Sequence, residues 1–575
     1  MDKLTDCISA AKGEIEVDLL LKGGRIVNTR TMEIYPADVA VYDDIIVGFG
    51  DYKAKKVVDV AGKIIAPGFI DAHVHVESSM VAPASFAQTV LPLGTTSVIA
   101  DPHEITNVCG LDGARYVLQA NSATPLNIYV MLPSCVPATP LETSGADLSA
   151  KDLMTLKYEP FVLGLAEMMN FPGVLFKVPA VLEKIVDFSD KMIDGHAPLL
   201  TGKDLSAYIG AGISSDHECT NLDEAREKLR QGMQIAVREG SVTRDLADLI
   251  PLVDQSNYPG FSLATDDREP VDLINEGHIN FLLKKAVSLG LDPVVAVTMA
   301  TYNTAKHYGL KKMGLIAPGY YADIVVLSDL KDFYAEQVYK RGELVAENQK
   351  PLFTPSAIDD SKVKNTVNLS FDAEKLKIPA QGDKIRVIEL VPGQILTKEI
   401  ILEAKVEDGL AVSDPERDIL KLVVIERHKA TGNIGIGFVK GLGLKQGAIS
   451  STIAHDSHNL IICGTNDRDM ARLVEHTVKM QGGLAVCNNN DILGDLPLPI
   501  GGLMSELPLS EVKEKLEKLF ELAKNLGSSV HSPFMTMAFL ALPVIPELKL
   551  TDRGLVNVNK FDFVSLFAKE EALIK

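Results

Sequence analysis

Residues 68 to 75 read Gly-Phe-Ile-Asp-Ala-His-Val-His, an apolar run that ends in two histidines two positions apart. In an extended chain, side chains at i and i+2 point to the same side, so His73 and His75 can reach one cation together. Alone, such a pair is more often two ordinary histidines than a metal site. Its company changes the balance, because the chain has 12 histidines and His103, His196 and His217 also fall at the ends of apolar runs. Carboxylates occur in the same setting: Glu167 follows Gly-Leu-Ala, and Asp266 and Asp267 follow Phe-Ser-Leu-Ala-Thr. Imidazole and carboxylate donors together suit zinc, manganese or iron. A carboxylate shared by two ions would let both grip and ionise one water, which is hydrolytic chemistry.

These residues need elements that bring them together. Candidate strand ends fall at His75, His103, Met131, Glu167, His196, His217, Glu239 and Asp266, separated by 21 to 36 residues. Eight such units at a spacing near 30 residues predict a (β/α)8 barrel over residues 66–305, with its chemistry at the C-terminal strand ends. An open doubly wound sheet is the alternative, but it leaves the regular series of strand ends unexplained. Short apolar bursts punctuated by Gly and Asp predict a small β-sandwich built from both flanks, residues 1–65 and 306–355. Residues 356–575 predict a C-terminal α+β domain, with amphipathic helices at Asp467 to Met480 and Leu509 to Leu526.

Composition narrows the function classes. Lys plus Arg number 57 against 77 Asp plus Glu, a net charge of -20 that repels a phosphate backbone or an anionic membrane surface. Nucleic acid and membrane are therefore poor partners, and a small-molecule substrate is expected. No Gly-x-x-x-x-Gly-Lys loop is present to hold nucleotide phosphates. Six scattered cysteines without a C-x-x-C pair indicate neither disulfides nor a zinc ribbon. An acidic N-terminus and the lack of a run of about 20 apolar residues point to the cytoplasm.

The order of these residues resembles the ligand order of the amidohydrolase superfamily: His-x-His after the first strand, an acid after the fourth, His after the fifth and sixth, Asp after the eighth. The stretch Gly314 to Asp323 looks like that superfamily's return from barrel to small domain. Many members carry a carboxylated lysine where this chain has Glu167, which speaks against the dihydroorotase and hydantoinase branch. Within the superfamily, the stretches His73 to Met80, Asp101 to Val108, Ser215 to Glu218 and Ala264 to Arg268 closely resemble the adenine deaminases. So do Glu426 to Asn433 and Thr452 to Asn459 in the third domain, so the likeness covers nearly the whole chain.

The resemblance implies two divalent metal ions, manganese or iron(II) with zinc possible. It places His73, His75 and Asp266 on one ion, His196 and His217 on the other, and Glu167 between them. It also implies attack of an activated water on C6 of adenine, release of ammonia and formation of hypoxanthine, a step of purine salvage. Asp266 is the expected proton shuttle and His103 a proton-relay or substrate residue. Glu77, Glu104 and Asp267 are candidate substrate-binding residues, Glu77 being equally well read as a solvated or supporting carboxylate. A competing zinc-deaminase signature needs His-x-Glu followed by Pro-Cys-x-x-Cys; His75-Val-Glu77 matches only its first half.

His455 and His458 have two readings, a polar turn facing solvent or a contribution from the third domain over the barrel mouth. His278, His307, His428, His476 and His531 are read as structural, and Met168 and Met169 as packing at the mouth. Other readings open to the same residues are hydrolysis of another cyclic amidine or amide, such as a different aminopurine, a cyclic amide or an acetylated amino sugar, and a non-catalytic scaffold on the same fold. A homo-oligomer, dimer or tetramer, is expected from what is common among such enzymes.

Overall fold

In the computed structural model, which describes residues 2–392 and 394–568, eight parallel strands follow one another around a barrel. They are β1 (Phe69–Val74), β2 (Thr95–Ala100), β3 (Asn127–Leu132), β4 (Val162–Met168), β5 (Met192–Gly195), β6 (Ser215–Asp216), β7 (Gln234–Arg238) and β8 (Phe261–Ala264). The expected (β/α)8 barrel is borne out, and the expected strand ends lie within three residues of the observed ones. β1, β2 and β8 are buried at every position, as strands must be when helices cover the outside and side chains fill the inside.

Two junctions complete the ring. Between β8 and β1, the Asp266 N–H donates to the His73 carbonyl at 3.0 Å, and the Asp266 carbonyl accepts from the His75 N–H at 3.4 Å. Between β5 and β6, the Ser214 N–H donates to the Ile193 carbonyl at 3.0 Å. Two glycines allow the close approach that follows β4: a Cβ on Gly164 would overlap the Met192 carbonyl oxygen, and one on Gly195 the Ser215 carbonyl oxygen. This brings Glu167, His196 and His217 to neighbouring strand ends.

Strand Ile64–Pro67 pairs with Arg25–Asn28 on one side and Ile324–Leu327 on the other, so a seven-stranded sheet draws on both flanks of the barrel. A four-stranded sheet from residues 17–59 stacks on it, and Leu19, Ile26, Val41, Ile65 and Ile324 fill the interior.

The C-terminal part folds around an eight-stranded sheet spanning residues 384–497. Helix Asp467–Met480 begins at Asn466, whose side chain accepts the Asp469 N–H, and it buries Met470, Leu473 and Val474. Helix Leu509–Asn525 buries Leu509, Val512, Leu516, Leu519 and Ala523, the three- and four-residue steps of a single helical face. That helix packs on the barrel helix Pro270–Asn275. Nearby, the Ser505 N–H donates to the Met80 carbonyl at 2.8 Å and the Ala82 N–H to the Ser505 carbonyl at 3.1 Å. One cluster of buried apolar side chains therefore runs unbroken from Phe69 and Leu165 in the barrel to Leu484 and Leu516. Among the described residues, no helix is long and apolar enough to cross a membrane.

Candidate active site

Glu167, leaving the end of β4, has its two oxygens in different company. Oε2 lies 2.7 Å from Nδ1 of His196 and 3.0 Å from Nε2 of His217. Oε1 lies 3.6 Å from Nε2 of His75 and 3.4 Å from Nδ1 of His103. The Nε2 atoms of His73 and His75 are 3.1 Å apart, and Oδ1 of Asp266 is 3.7 Å from the first and 3.1 Å from the second. His73 stacks on His217 with ring centroids 4.1 Å apart.

The protonation states follow from this crowding. Burial, with His217 and His75 alongside, holds the His73 imidazole well below its ordinary pKa, in the neutral form that binds metals. Burial works against charge on Glu167, but His196 and His217 outweigh it and hold the carboxyl well below its usual range. The same contest at Asp266 is won by His75 and Arg238. Burial opposes charge on His75, but Asp266 outweighs it and pushes the imidazole well above its ordinary pKa. In the neutral ring Nδ1, 2.9 Å from the Asp101 carbonyl oxygen, keeps the proton and Nε2 turns its lone pair to the cluster. Burial opposes charge on His196 and His217, but the carboxylates around them outweigh it and raise both, the latter to about 9, so a cation would displace protons from them. Imidazoles and ionised carboxylates buried together are the donor chemistry of divalent transition metals. One donor atom of each of His73, His75 and Asp266 lies within 4.8 Å of the others, and the same holds for His73, Glu167 and His217. The residues present fit divalent transition-metal cations.

Asp266 is held from behind. Its φ of 56° lies in the left-handed region, a strained setting for a residue with a side chain. Its Oδ2 lies 3.1 Å from Nη1 of Arg238, so Oδ1 is the oxygen presented to His73 and His75. Arg238 also pairs with Glu218 and with Asp245, the latter at 3.0 Å.

Above this cluster is a pocket walled on one side by barrel residues, among them Glu104, Met169, Glu218 and Asp267, and on the other by His455, Asp456 and Phe539. His455 stacks on Phe539 with centroids 4.6 Å apart, and Oδ1 of Asp456 lies 3.8 Å from Nε2 of His103. The solvent-facing reading of the two late histidines is thereby corrected: His455 is 2% and His458 0% exposed, because the turn carrying them docks on the barrel mouth.

The comparisons with known proteins agree with this architecture. Residues 64–345 match the amidohydrolase family, and residues 394–562 match the adenine deaminase C-terminal domain. "Adenine deaminase 2" of Carboxydothermus hydrogenoformans is 52% identical, covering 98% of this chain and 99% of that protein. Adenine deaminases of Desulfatibacillum aliphaticivorans and Kosmotoga olearia are each 48% identical, covering 97% and 99% of this chain and 99% and 100% of theirs. The chain belongs to the adenine deaminase family. Its amidohydrolase portion makes it one of the metal-dependent hydrolases of C–N bonds. Among solved structures, a beta-aspartyl dipeptidase of Fervidobacterium islandicum AW-1 aligns at a TM-score of 0.43 and 14% identity, covering 59% of this chain and 99% of that one.

In this adenine deaminase family member, the six metal-ligand candidates read from sequence are gathered in one cluster, with His103 beside it. Glu104 and Asp267 reach the pocket, where Asp267 accepts the Ser78 hydroxyl at 2.5 Å. Burial and the neighbouring Asp266 push the Asp267 carboxyl up to about 6. Glu77 lies one layer back, accepting the Ile105 N–H at 3.1 Å, and burial with Glu104 nearby pushes its pKa up to about 7.

At the seventh strand the sequence reading is off by one residue. Glu239 turns away to accept Lys285 at 2.5 Å, while Arg238, the last residue of β7, faces the site. Glu218, Arg238, Asp456 and Phe539 are pocket residues to which sequence reasoning gave no role. A basic residue closing an apolar strand was the one signal available for Arg238.

The remaining histidines are placed as expected. His278 sits between Asp71 and Thr95, His428 meets the Ser457 carbonyl at 2.7 Å, and His476 pairs with Asp495 at 2.8 Å. His307 borders the barrel interior and His531 is exposed. Met168 and Met169 are both buried, Met169 against the pocket.

Proposed function

We propose that this chain hydrolyses adenine to hypoxanthine and ammonia. The observation that carries the reading is the divided carboxylate of Glu167, in a chain 52% identical to a named adenine deaminase over 98% of its length. His73, His75 and Asp266 would hold one cation, His196 and His217 a second, and Glu167 would join them; manganese or iron(II) is expected, and zinc also suits the donors. A pair of divalent ions held there would supply water activation at neutral pH and electrostatic stabilisation of the charge that develops on the purine.

The protein's own groups do the rest. The Asp266 carboxylate takes the water's proton and returns it to the departing amine, while Arg238, 3.1 Å from Oδ2, keeps the carboxylate from turning. His103, between Glu167 and Asp456, orients the substrate or relays a proton at the same face. Glu104 and Asp267 offer acceptors to purine N–H groups, with Glu77 one layer behind on the Ile105 N–H. Phe539, Leu542 and Ile545 exclude water from the reacting carbon.

Three units make up the chain in this reading: residues 1–65 with 306–355, 66–305, and 356–575. A cytoplasmic homo-oligomer, dimer or tetramer, acting on a small molecule completes it. Incubating metal-loaded protein with adenine tests the proposal. Equal release of ammonia and hypoxanthine is expected, and no ammonia from protein carrying its full metal complement overturns it.

A further inference from the structure

Glu104 follows β2 and His455 belongs to the C-terminal part, yet Nδ1 of His455 lies 3.3 Å from Oε1 of Glu104. Both side chains are buried; among the described residues Nε2 of His455 has no hydrogen-bond partner, and Oε1 of Glu104 has that imidazole beside it and no other donor in hydrogen-bonding geometry. Buried polar atoms left in this way are expected to be completed by a ligand. A third cation is one option, since donor atoms of Glu104, His455 and His458 lie within 4.8 Å of one another. The tautomer of His458 argues against it. Its Nδ1 accepts the Ala454 N–H at 3.2 Å, so the neutral ring carries its proton on Nε2, which is then a donor and has no lone pair for a metal.

The geometry points to a different ligand: we infer that Glu104 and His455 together bind the N3/N9–H edge of the purine and are the groups through which the pocket senses a substituent at N9. This rests on the adenine reading above. His103 sets the spacing, with Nδ1 3.4 Å from Glu167 and Nε2 3.8 Å from Asp456. The roof therefore lies one imidazole ring beyond the reacting centre. A purine with C6 at that centre turns its opposite edge, N3 and N9–H, towards the roof. The Glu104 carboxylate accepts from N9–H and Nε2–H of His455 donates to N3.

Burial opposes a charge on His455, but Glu104 outweighs it and pushes the imidazole up to about 9, so both ring nitrogens carry protons. Stacking on Phe539 fixes the ring plane. The apolar part of the roof, Ile395, Leu542 and Ile545, offers a ribose no side-chain hydrogen bond. An N9 substituent would remove the donor and bury the carboxylate against carbon.

The test pairs substrate atoms with side chains on the metal-loaded full chain. kcat/KM is measured for adenine, 3-deazaadenine and 9-methyladenine with wild type, His455→Phe and Glu104→Leu. The penalty for 3-deazaadenine should shrink roughly 10-fold or more in His455→Phe, and that for 9-methyladenine similarly in Glu104→Leu, because each change removes a partner already missing. Intrinsic ring reactivity cancels in these ratios. Penalties unchanged by the substitutions overturn the inference.

Should a variant fail to fold, competitive inhibition of the wild type decides: hypoxanthine binding at least about 10-fold tighter than 9-methylhypoxanthine supports the inference, and equal binding overturns it. An enzyme that gives no ammonia from adenine fails the functional proposal instead, whereas one that deaminates adenine with unchanged penalties fails this inference alone.

Discussion

Nη1 of Arg238 lies 3.1 Å from Oδ2 of Asp266, and the same guanidinium pairs with Glu218 and Asp245. One buried cation thus faces two buried carboxylates and the half-buried Asp245. Arg238→Met should destabilise the metal-free protein by about 3–5 kcal/mol, the usual cost of stranding buried charge. Added metal should recover part of the loss by supplying positive charge nearby. Calorimetric melting with chelator and with manganese checks this, and an equal loss under both conditions would contradict it.

Glu167 and Asp266 should separate metal binding from chemistry. Glu167→Gln is expected to lose bound metal and to lower kcat by more than about 100-fold, beyond what a residue that merely supports ligands shows. Asp266→Asn should retain more metal than Glu167→Gln while losing comparable activity, since it removes the group that carries the proton. Elemental analysis beside steady-state kinetics distinguishes the two. Full metal content with full activity in Glu167→Gln would end the ligand assignment.

Glu142 ties a barrel loop to the third domain, its Oε2 accepting the Ser457 hydroxyl at 2.7 Å. Burial pushes its carboxyl up from 4.5 to about 8. Between those values the folded state keeps a proton that the unfolded chain has released, so this group's contribution to stability is present at low pH and is lost as pH rises through the window. Glu142→Gln mimics the protonated form and should gain on wild type by up to about 1.4 kcal/mol per pH unit across it. Melting temperatures at pH 5 and pH 8 measure the difference, and a constant offset would refute the linkage.

His458→Ala should reduce kcat/KM for adenine by roughly 10-fold, because the Nε2–H donor beside Glu104 and His455 is removed. Unchanged kinetic constants would mean that this turn closes the mouth without touching the reaction.

Much of this was legible in the residues themselves. The barrel showed as a spacing of polar residues after apolar runs, and helix Leu509–Asn525 as a three- and four-residue period, because both are local patterns. Arg238 was missed because a single strand residue gives no sign of which way it faces, and Glu239 next to it was the more conspicuous acid. His455, Asp456 and Phe539 depend on contacts between segments hundreds of residues apart, and no period encodes those. The polar turn around His458 suggested solvent, since composition reports polarity and not what covers it. The departure of Glu167 from a carboxylated lysine was visible, but its division between two sets of imidazoles needed coordinates.

Asp266 stitches the last barrel strand to the first through its main chain and offers its carboxylate to the same two histidines it is stitched to. Fraying at this point would pull His73 and His75 away from their acid before any other strand let go. Heat should therefore silence the enzyme while most of its secondary structure is still in place, and a tightly held inhibitor should act as a clasp on the whole cylinder.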